Sequence, residues 1–465
     1  MVFSSIEFLL MFLPLFLILY GLVPDRMKNA VLLTGSLIFY VFGEPRYLIL
    51  LMISVLVNYM VGLHLGRGAR QRGKNKKQKK NKFDKKRRLL FAATVIVNIG
   101  MLAVFKACAG EETMPLGISF YTFQILSYLT DVYRGDQRKE TSFVKFATYV
   151  TMFPQLISGP IVNYDEVRDS LHDRRFTAEG FQDGMKVFTA GLVFKVLLAD
   201  RLGLLWQEVN VTGIESISTP LAWIAAIAYS MKIYFDFYGY SLMAMGLGRV
   251  LGFELPENFR NPYMADSVRD FYRRWHITLG RWFRRYVYIP LGGNRKGELR
   301  TVCNLTAVWV LTAIWHGSTA NYLVWGMLLL LLIIVERQLE ALGLTKVFKK
   351  GPLKVIPHLY LWVVIPVTWV CFAITDVSQL QVYLGRMFGT VEGIRISAGD
   401  WLRALRNYWY LLGIGALACT PTLQKLFRRW KNSLLGSLIL AVLFWLCVWR
   451  LQIEGQNPFM YFRRF

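Results

Sequence analysis

The side chain best suited to chemistry in this chain is His316. It follows an apolar stretch, Val302 to Ile314, in the sequence Trp315-His316-Gly317. An imidazole changes charge near neutral pH, which suits it to general acid/base catalysis. An ionisable group within a membrane-type stretch is a functional candidate by default. The competing reading is a hydrogen-bonded packing residue. Gly317 removes bulk beside the ring, which should leave room for a substrate. A second imidazole, His276, follows Trp275, where an interfacial residue bonded to backbone or lipid is the simpler reading. His64, His172 and His358 lie near the ends of apolar stretches or in loops and carry no expected role.

His276 sits inside an unusual cassette, residues 267–293. Arg269, Arg273, Arg274, Arg281, Arg284 and Arg285 alternate there with Phe, Trp and Tyr. Arginine and aromatic rings both favour the headgroup zone, so one reading is a helix pinned to the membrane surface. A second, compatible reading is functional. Basic and aromatic groups facing inward could hold the phosphates and adenine of an acyl-CoA, or the acidic surface of a carrier protein. Four further polar residues fall in apolar stretches: Asp131, Gln155, Asp236 and Ser241. They could line a passage or satisfy one another between helices.

Other chemistries lack their motifs. No His-Glu-x-x-His spacing, no Gly-x-Ser-x-Gly elbow and no Walker loop is present. The five cysteines are scattered and include no Cys-x-x-Cys pair, so no metal site is expected.

The elements that must carry these residues are membrane helices. Of 465 residues, 54% are hydrophobic and only 18% charged, against about 25% in soluble proteins. Mean hydropathy is +0.36. Candidate spans run 8–23, 30–42, 47–65, 89–105, 115–132, 143–162, 181–198, 221–235, 242–251, 302–315, 322–335, 359–374, 408–419 and 434–449. Several fall short of the ~20 residues needed to cross a bilayer. The expectation is therefore an all-α polytopic protein with about ten to twelve true spans, plus interfacial and re-entrant helices. It reads as one membrane-embedded domain over residues 1–465, with residues 300–317 forming the helix that carries Trp-His-Gly.

The net charge of +25 is unevenly placed. Residues 67–88 hold 13 Lys or Arg and one acid, Asp84. Between apolar spans, such a block reads as a cytoplasmic loop facing anionic lipid, not as a nucleic-acid module. Three spans precede it, so the N-terminus is expected outside. The first apolar run reads as a span rather than a cleaved signal peptide, because its first basic residue, Arg26, comes after it.

Several motifs carry a specific resemblance. They are Pro256-Glu257-Asn258-Phe259, Arg273-Arg274-Trp275-His276-Ile277-Thr278-Leu279, Tyr288-Ile289-Pro290-Leu291-Gly292-Gly293-Asn294-Arg295-Lys296-Gly297 and Ile314-Trp315-His316-Gly317. Phe42 to Tyr47, Pro115 to Phe123, Phe153 to Ile161 and Asn457 to Phe462 agree as well. In order and over nearly the whole chain, they resemble the membrane-bound O-acyltransferase family. The nearest subgroup is the bacterial membrane proteins of alginate O-acetylation. Tyr238, Leu242 and Arg285 depart from that subgroup's pattern and bear on the acyl group and acceptor.

The resemblance implies a ring of helices around a thin centre pierced by a tunnel. It implies that His316 is catalytic, with His276 family-typical, and it draws Trp315, Gly317, Asp236, Ser241 and Gln155 into the tunnel. Arg273, Arg274, Arg281, Asn294, Arg295 and Lys296 become candidates for holding the donor. No bound cofactor is expected; acetyl-CoA is the expected co-substrate. The expected setting is a bacterial cytoplasmic membrane, with a polysaccharide acceptor and an SGNH-hydrolase-like acetyltransferase as extracytoplasmic partner. Rival readings are D-alanyl transfer from a carrier protein to teichoic acid, a transporter, for which paired repeats are lacking, and a scaffold without chemistry.

Overall fold

A computed structural model describes residues 2–67, 77–108, 114–349, 351–390 and 399–455. Part of the basic run, most of the segment from Gly389 to Asp400, and the Asn457–Phe462 motif lie outside the described residues. The described residues are helical, with no strand among them. Backbone contacts divide the chain into two compact units. Among the described residues, the first comprises residues 2–188 and 240–256, and the second residues 189–239 and 257–455.

Among the described residues, five helices are long and apolar enough to cross a membrane: Pro45–Gly66, Lys85–Cys108, Ala320–Ala341, Gly351–Ala373 and Leu434–Glu454. They turn large apolar side chains outward (Leu89, Ile96 and Val442 are each about two-thirds exposed), as a lipid-facing surface requires. The other expected stretches form helices that are shorter, broken, more polar or buried in protein. The stretch from Pro115 becomes the helix Ile118–Arg134, whose side chains are nearly all buried. It begins at Gly117, which is left-handed, and a Cβ there would sit 2.3 Å from the Leu156 carbonyl oxygen.

The expected span 143–162 is not one helix. It forms Phe143–Thr151, a break at Met152, and a single turn over Phe153–Leu156. Pro154, which offers no amide hydrogen, falls in the first positions of that turn, where no helical partner is needed. Side chains take up the freed backbone groups: the Phe153 amide donates to Ser36 Oγ at 3.1 Å, and Gln155 Nε2 donates to the Tyr149 carbonyl. Conversely, the two expected spans 221–235 and 242–251 fuse into one helix, Thr219–Val250. The glycine between them, Gly239, is a packing residue and not a turn. Its missing Cβ lets the Gly191 carbonyl come within 2.6 Å of where that atom would stand.

Beside the helix Ile118–Arg134, the first unit buries an acid that the sequence did not single out. Glu140 accepts hydrogen bonds from the amides of Thr141 and Ser142 at 2.8 and 2.7 Å, from Tyr164, and from His172 Nε2 at 2.9 Å. Burial alone would raise its pKa, but the Tyr164 hydroxyl, the Ser142 amide and His172 outweigh it and hold the carboxyl below its ordinary range.

Two consequences are measurable. Gly239→Val should cost about 1–3 kcal/mol by overpacking, whereas Gly413→Ala, on an open helix face where a Cβ meets nothing within 4 Å, should be neutral or gain about 0.5–1 kcal/mol; thermal unfolding in detergent compares them. Because Glu140 is depressed, its stabilisation is full above its ordinary value of 4.5 and is lost as pH falls through the folded value. Glu140→Gln should therefore lower the melting temperature at pH 7, and the gap from wild type should close on acidification.

Candidate active site

The Glu298–His316 helix ends on its functional residue. His316 is the last helical position, and Gly317 continues in extended backbone while its amide still donates to the Ala313 carbonyl at 3.2 Å. The next helix, Ala320–Ala341, packs closely against it. A Cβ on Gly326 would stand 2.9 Å from Ala313 Cβ, so the two backbones approach through small residues as membrane helices often do. Asn321, fully buried, donates to the carbonyls of Phe372 and Cys371 at 2.9 and 3.3 Å. It thereby joins the start of that helix to the end of Val355–Ala373.

These contacts enclose His316 in rings. Its imidazole is 4.7 Å from Trp315, 4.9 Å from Trp325 edge-on, 5.2 Å from Phe372 edge-on, and stacked over Tyr322 at 6.4 Å, all between ring centroids. The side chain is 6% exposed. The space beside Gly317 is not left open as expected. A Cβ there would lie 2.2 Å from the Tyr322 ring, so the glycine admits that tyrosine.

The cassette is not one surface helix. It folds as Val268–Arg274, a break at Trp275-His276, Ile277–Phe283, and a π-helical turn over Arg284–Tyr288. Its aromatic side, with Phe271, Trp275, Trp282 and Phe283, is buried in protein. Its start and the residues just before it are anchored by the helices Ala320–Ala341 and Val355–Ala373. Glu336 accepts the amides of Val268 and Arg269 at 2.6 and 3.1 Å, His358 Nδ1 bonds the Ala265 carbonyl at 2.8 Å, and Trp362 Nε1 donates to the Tyr263 carbonyl at 3.1 Å. The break puts His276 in left-handed backbone, φ 45°, a conformation that costs a non-glycine residue about 1–3 kcal/mol.

His276 is 4% exposed. Its ring meets Phe237 edge-on at 4.7 Å and Trp315 at 6.3 Å. The Trp315 ring therefore contacts both imidazoles. Nδ1 of His276 is 3.0 Å from Asn258 Oδ1. Burial pushes the His276 pKa down to about 3, so the ring is neutral at physiological pH.

The expected donor residues divide. Arg273, Asn294, Arg295 and Lys296 are exposed. Arg274 is engaged by Asp270 at 2.8 Å, and Arg281 is half-buried. Of the expected tunnel residues, Trp315 and Gly317 surround His316, while Gln155 and Ser241 are buried in the first unit. Asp236 is committed to an ion pair with Lys195 at 2.8 Å, and Lys195 also meets Asp200 at 2.7 Å. Lys195, Asp200, Asn258 and Glu336 were missed as individual residues. Ionisable types inside or directly at the end of apolar stretches were the available signal for Lys195 and Glu336.

The close packing at Gly317 can be tested. Gly317→Ala should destabilise by about 1–3 kcal/mol, and adding Tyr322→Leu, which withdraws the ring, should recover much of the loss in thermal unfolding.

Comparison with known proteins identifies the family. The profile of the membrane-bound O-acyltransferase family matches residues 10–374. A probable alginate O-acetylase of Pseudomonas fluorescens is 36% identical over 89% of this chain and 79% of its own length. Another, from Pseudomonas putida, is 33% identical over 100% of both chains. A peptidoglycan O-acetyltransferase of Helicobacter pylori is 31% identical over 84% of this chain and 80% of its own. With a ring-enclosed Trp-His-Gly histidine at a helix end and a family match across most of its length, the chain belongs to the membrane-bound O-acyltransferases and is a multi-pass membrane enzyme.

Proposed function

We propose that this enzyme moves an acetyl group from acetyl-CoA on the cytoplasmic side of a bacterial cytoplasmic membrane to a hydroxyl on the outer side. The acceptor is a polysaccharide, or a relay hydroxyl on an SGNH-hydrolase-like partner that serves one. The relatives described as alginate and peptidoglycan O-acetylating proteins support a polysaccharide acceptor. The N-terminus lies outside in this reading, which rests on the basic run at residues 67–88.

The observation that carries the proposal is His316, a buried imidazole at a helix end among Trp315, Trp325, Phe372 and Tyr322. In its neutral form it takes the proton of the acceptor hydroxyl as that oxygen attacks the thioester carbonyl. The new C–O bond forms, the C–S bond breaks, and the imidazolium returns the proton to the departing thiolate. One ester and one thiol replace one alcohol and one thioester, and the histidine ends as it began. The apolar walls exclude water, so the competing hydrolysis of the thioester is suppressed. Holding both reactants in register supplies much of the acceleration. Exposed Arg273, Arg295 and Lys296 supply positive charge for the donor's phosphates.

The test is mass spectrometry of the surface polymer from cells with and without the protein, which names acyl group and acceptor together. An acetyl ester that depends on the protein supports the reading; D-alanyl ester or none overturns it. His316→Ala, at normal membrane levels, should lower ester formation by about 10²–10⁴-fold, the range of a lost general base. Activity within a few-fold of wild type would remove His316 from the mechanism.

A further inference from the structure

The second imidazole has one ring nitrogen engaged and one bare. His276 Nδ1 lies 3.0 Å from Asn258 Oδ1. Nε2 is buried and has no hydrogen-bond partner among the described residues. The same Asn258 oxygen accepts from Thr278 Oγ1 at 2.9 Å and faces the Thr278 amide at 3.4 Å. A backbone amide can only donate, so the amide side chain of Asn258 must present its oxygen and not its nitrogen to this cluster. The group that His276 Nδ1 meets is then an acceptor. Nδ1 must carry the proton, and Nε2 is left with a free lone pair.

The backbone fixes the same geometry. The Ile277 amide donates to the Asn258 carbonyl at 2.9 Å, and the Arg260 amide donates to the Arg274 carbonyl at 2.9 Å. The segment 258–260 therefore clamps the loop 274–278, including the left-handed turn at His276. Phe237 and Trp315 confine the ring.

We infer that Asn258 is a positioning residue that locks His276 as the Nδ1–H tautomer, so that Nε2 is the nitrogen available to acyl-transfer chemistry beside Trp315. The inference deepens the proposed function and rests on it for the use of Nε2, but not for the tautomer. A buried imidazole held neutral can accept a proton only at the nitrogen that its partner leaves bare.

The experiment combines two readouts on the full-length protein in detergent or nanodiscs. Nitrogen-15 NMR of histidine-labelled protein, assigned by comparison with His276→Gln, should show His276 with a protonated Nδ1 and a bare Nε2. Asn258→Asp, which keeps an acceptor at that place, should preserve this signature; Asn258→Leu should lose it. In acetyl transfer from acetyl-CoA, Asn258→Leu should lower kcat roughly 10²-fold, the scale of a displaced acid/base group, with KM for the donor little changed. Asn258→Asp should retain most of the rate. Thr278→Val, which removes another bond to the same oxygen, controls for loss of the loop and should leave both readouts near wild type. A wild-type His276 protonated at Nε2 overturns the inference outright. A correct tautomer with full activity in Asn258→Leu overturns the use of Nε2 while leaving the lock standing. Equal losses in Asn258→Leu and Thr278→Val reduce Asn258 to a structural residue. Wild-type protein that makes no acetyl product refutes the proposed function, and the tautomer is still read by NMR.

Discussion

A backbone inside a membrane must satisfy its own polar groups, because hydrocarbon offers none in return. That constraint decides where this chain can be irregular. The breaks lie under protein cover and are supported by side chains: Ser36 and Gln155 at the Met152 break, Glu336 at the start of Val268–Arg274, Asn258 at the turn after His276, and Asn321 at the end of Val355–Ala373. Of the two histidines of the candidate site, His276 stands at such a break and His316 at a helix end. A continuous helix would leave no freedom to turn an imidazole away from its neighbours, whereas a supported break can aim one.

The same economy governs ionised groups. Lys195, with Asp236 and Asp200, forms a buried cluster within the second unit. Glu140 gathers four donors in the first. Charge taken from water is costly unless paired and hydrogen-bonded, and Glu140 and Asp236 have that company. Asp236 is held in an ion pair with Lys195, while Arg273, Arg295 and Lys296 face water. The division separates groups that hold the fold from groups that can meet a ligand.

The aromatic content has a distinct part. Trp315 stands between the two imidazoles, and Trp325, Phe372 and Tyr322 close around His316. Rings of this size exclude water and confine a side chain. An activated acyl group survives best in such surroundings, since water is the rival nucleophile. Gly317 belongs to this wall because its missing side chain lets Tyr322 in.

Composition and apolar run length were enough to establish a helical membrane protein, since both report directly on the solvent a chain can tolerate. The Trp-His-Gly block and the cassette motifs were enough to point to His316 and His276, because motif chemistry is local. What sequence could not decide was everything that depends on partners far apart in the chain. Apolar stretches of similar character became a lipid-facing helix at Lys85–Cys108 and a buried one at Ile118–Arg134. Residues 236–241 stood between two expected spans, yet they lie within one helix, where Gly239 is a point of contact. Asn258 is 18 positions from His276, and its oxygen sets the ring's proton only because two loops close on each other. Hydropathy measures a residue against a solvent, whereas burial, pairing and tautomer are set by which neighbours the tertiary structure supplies.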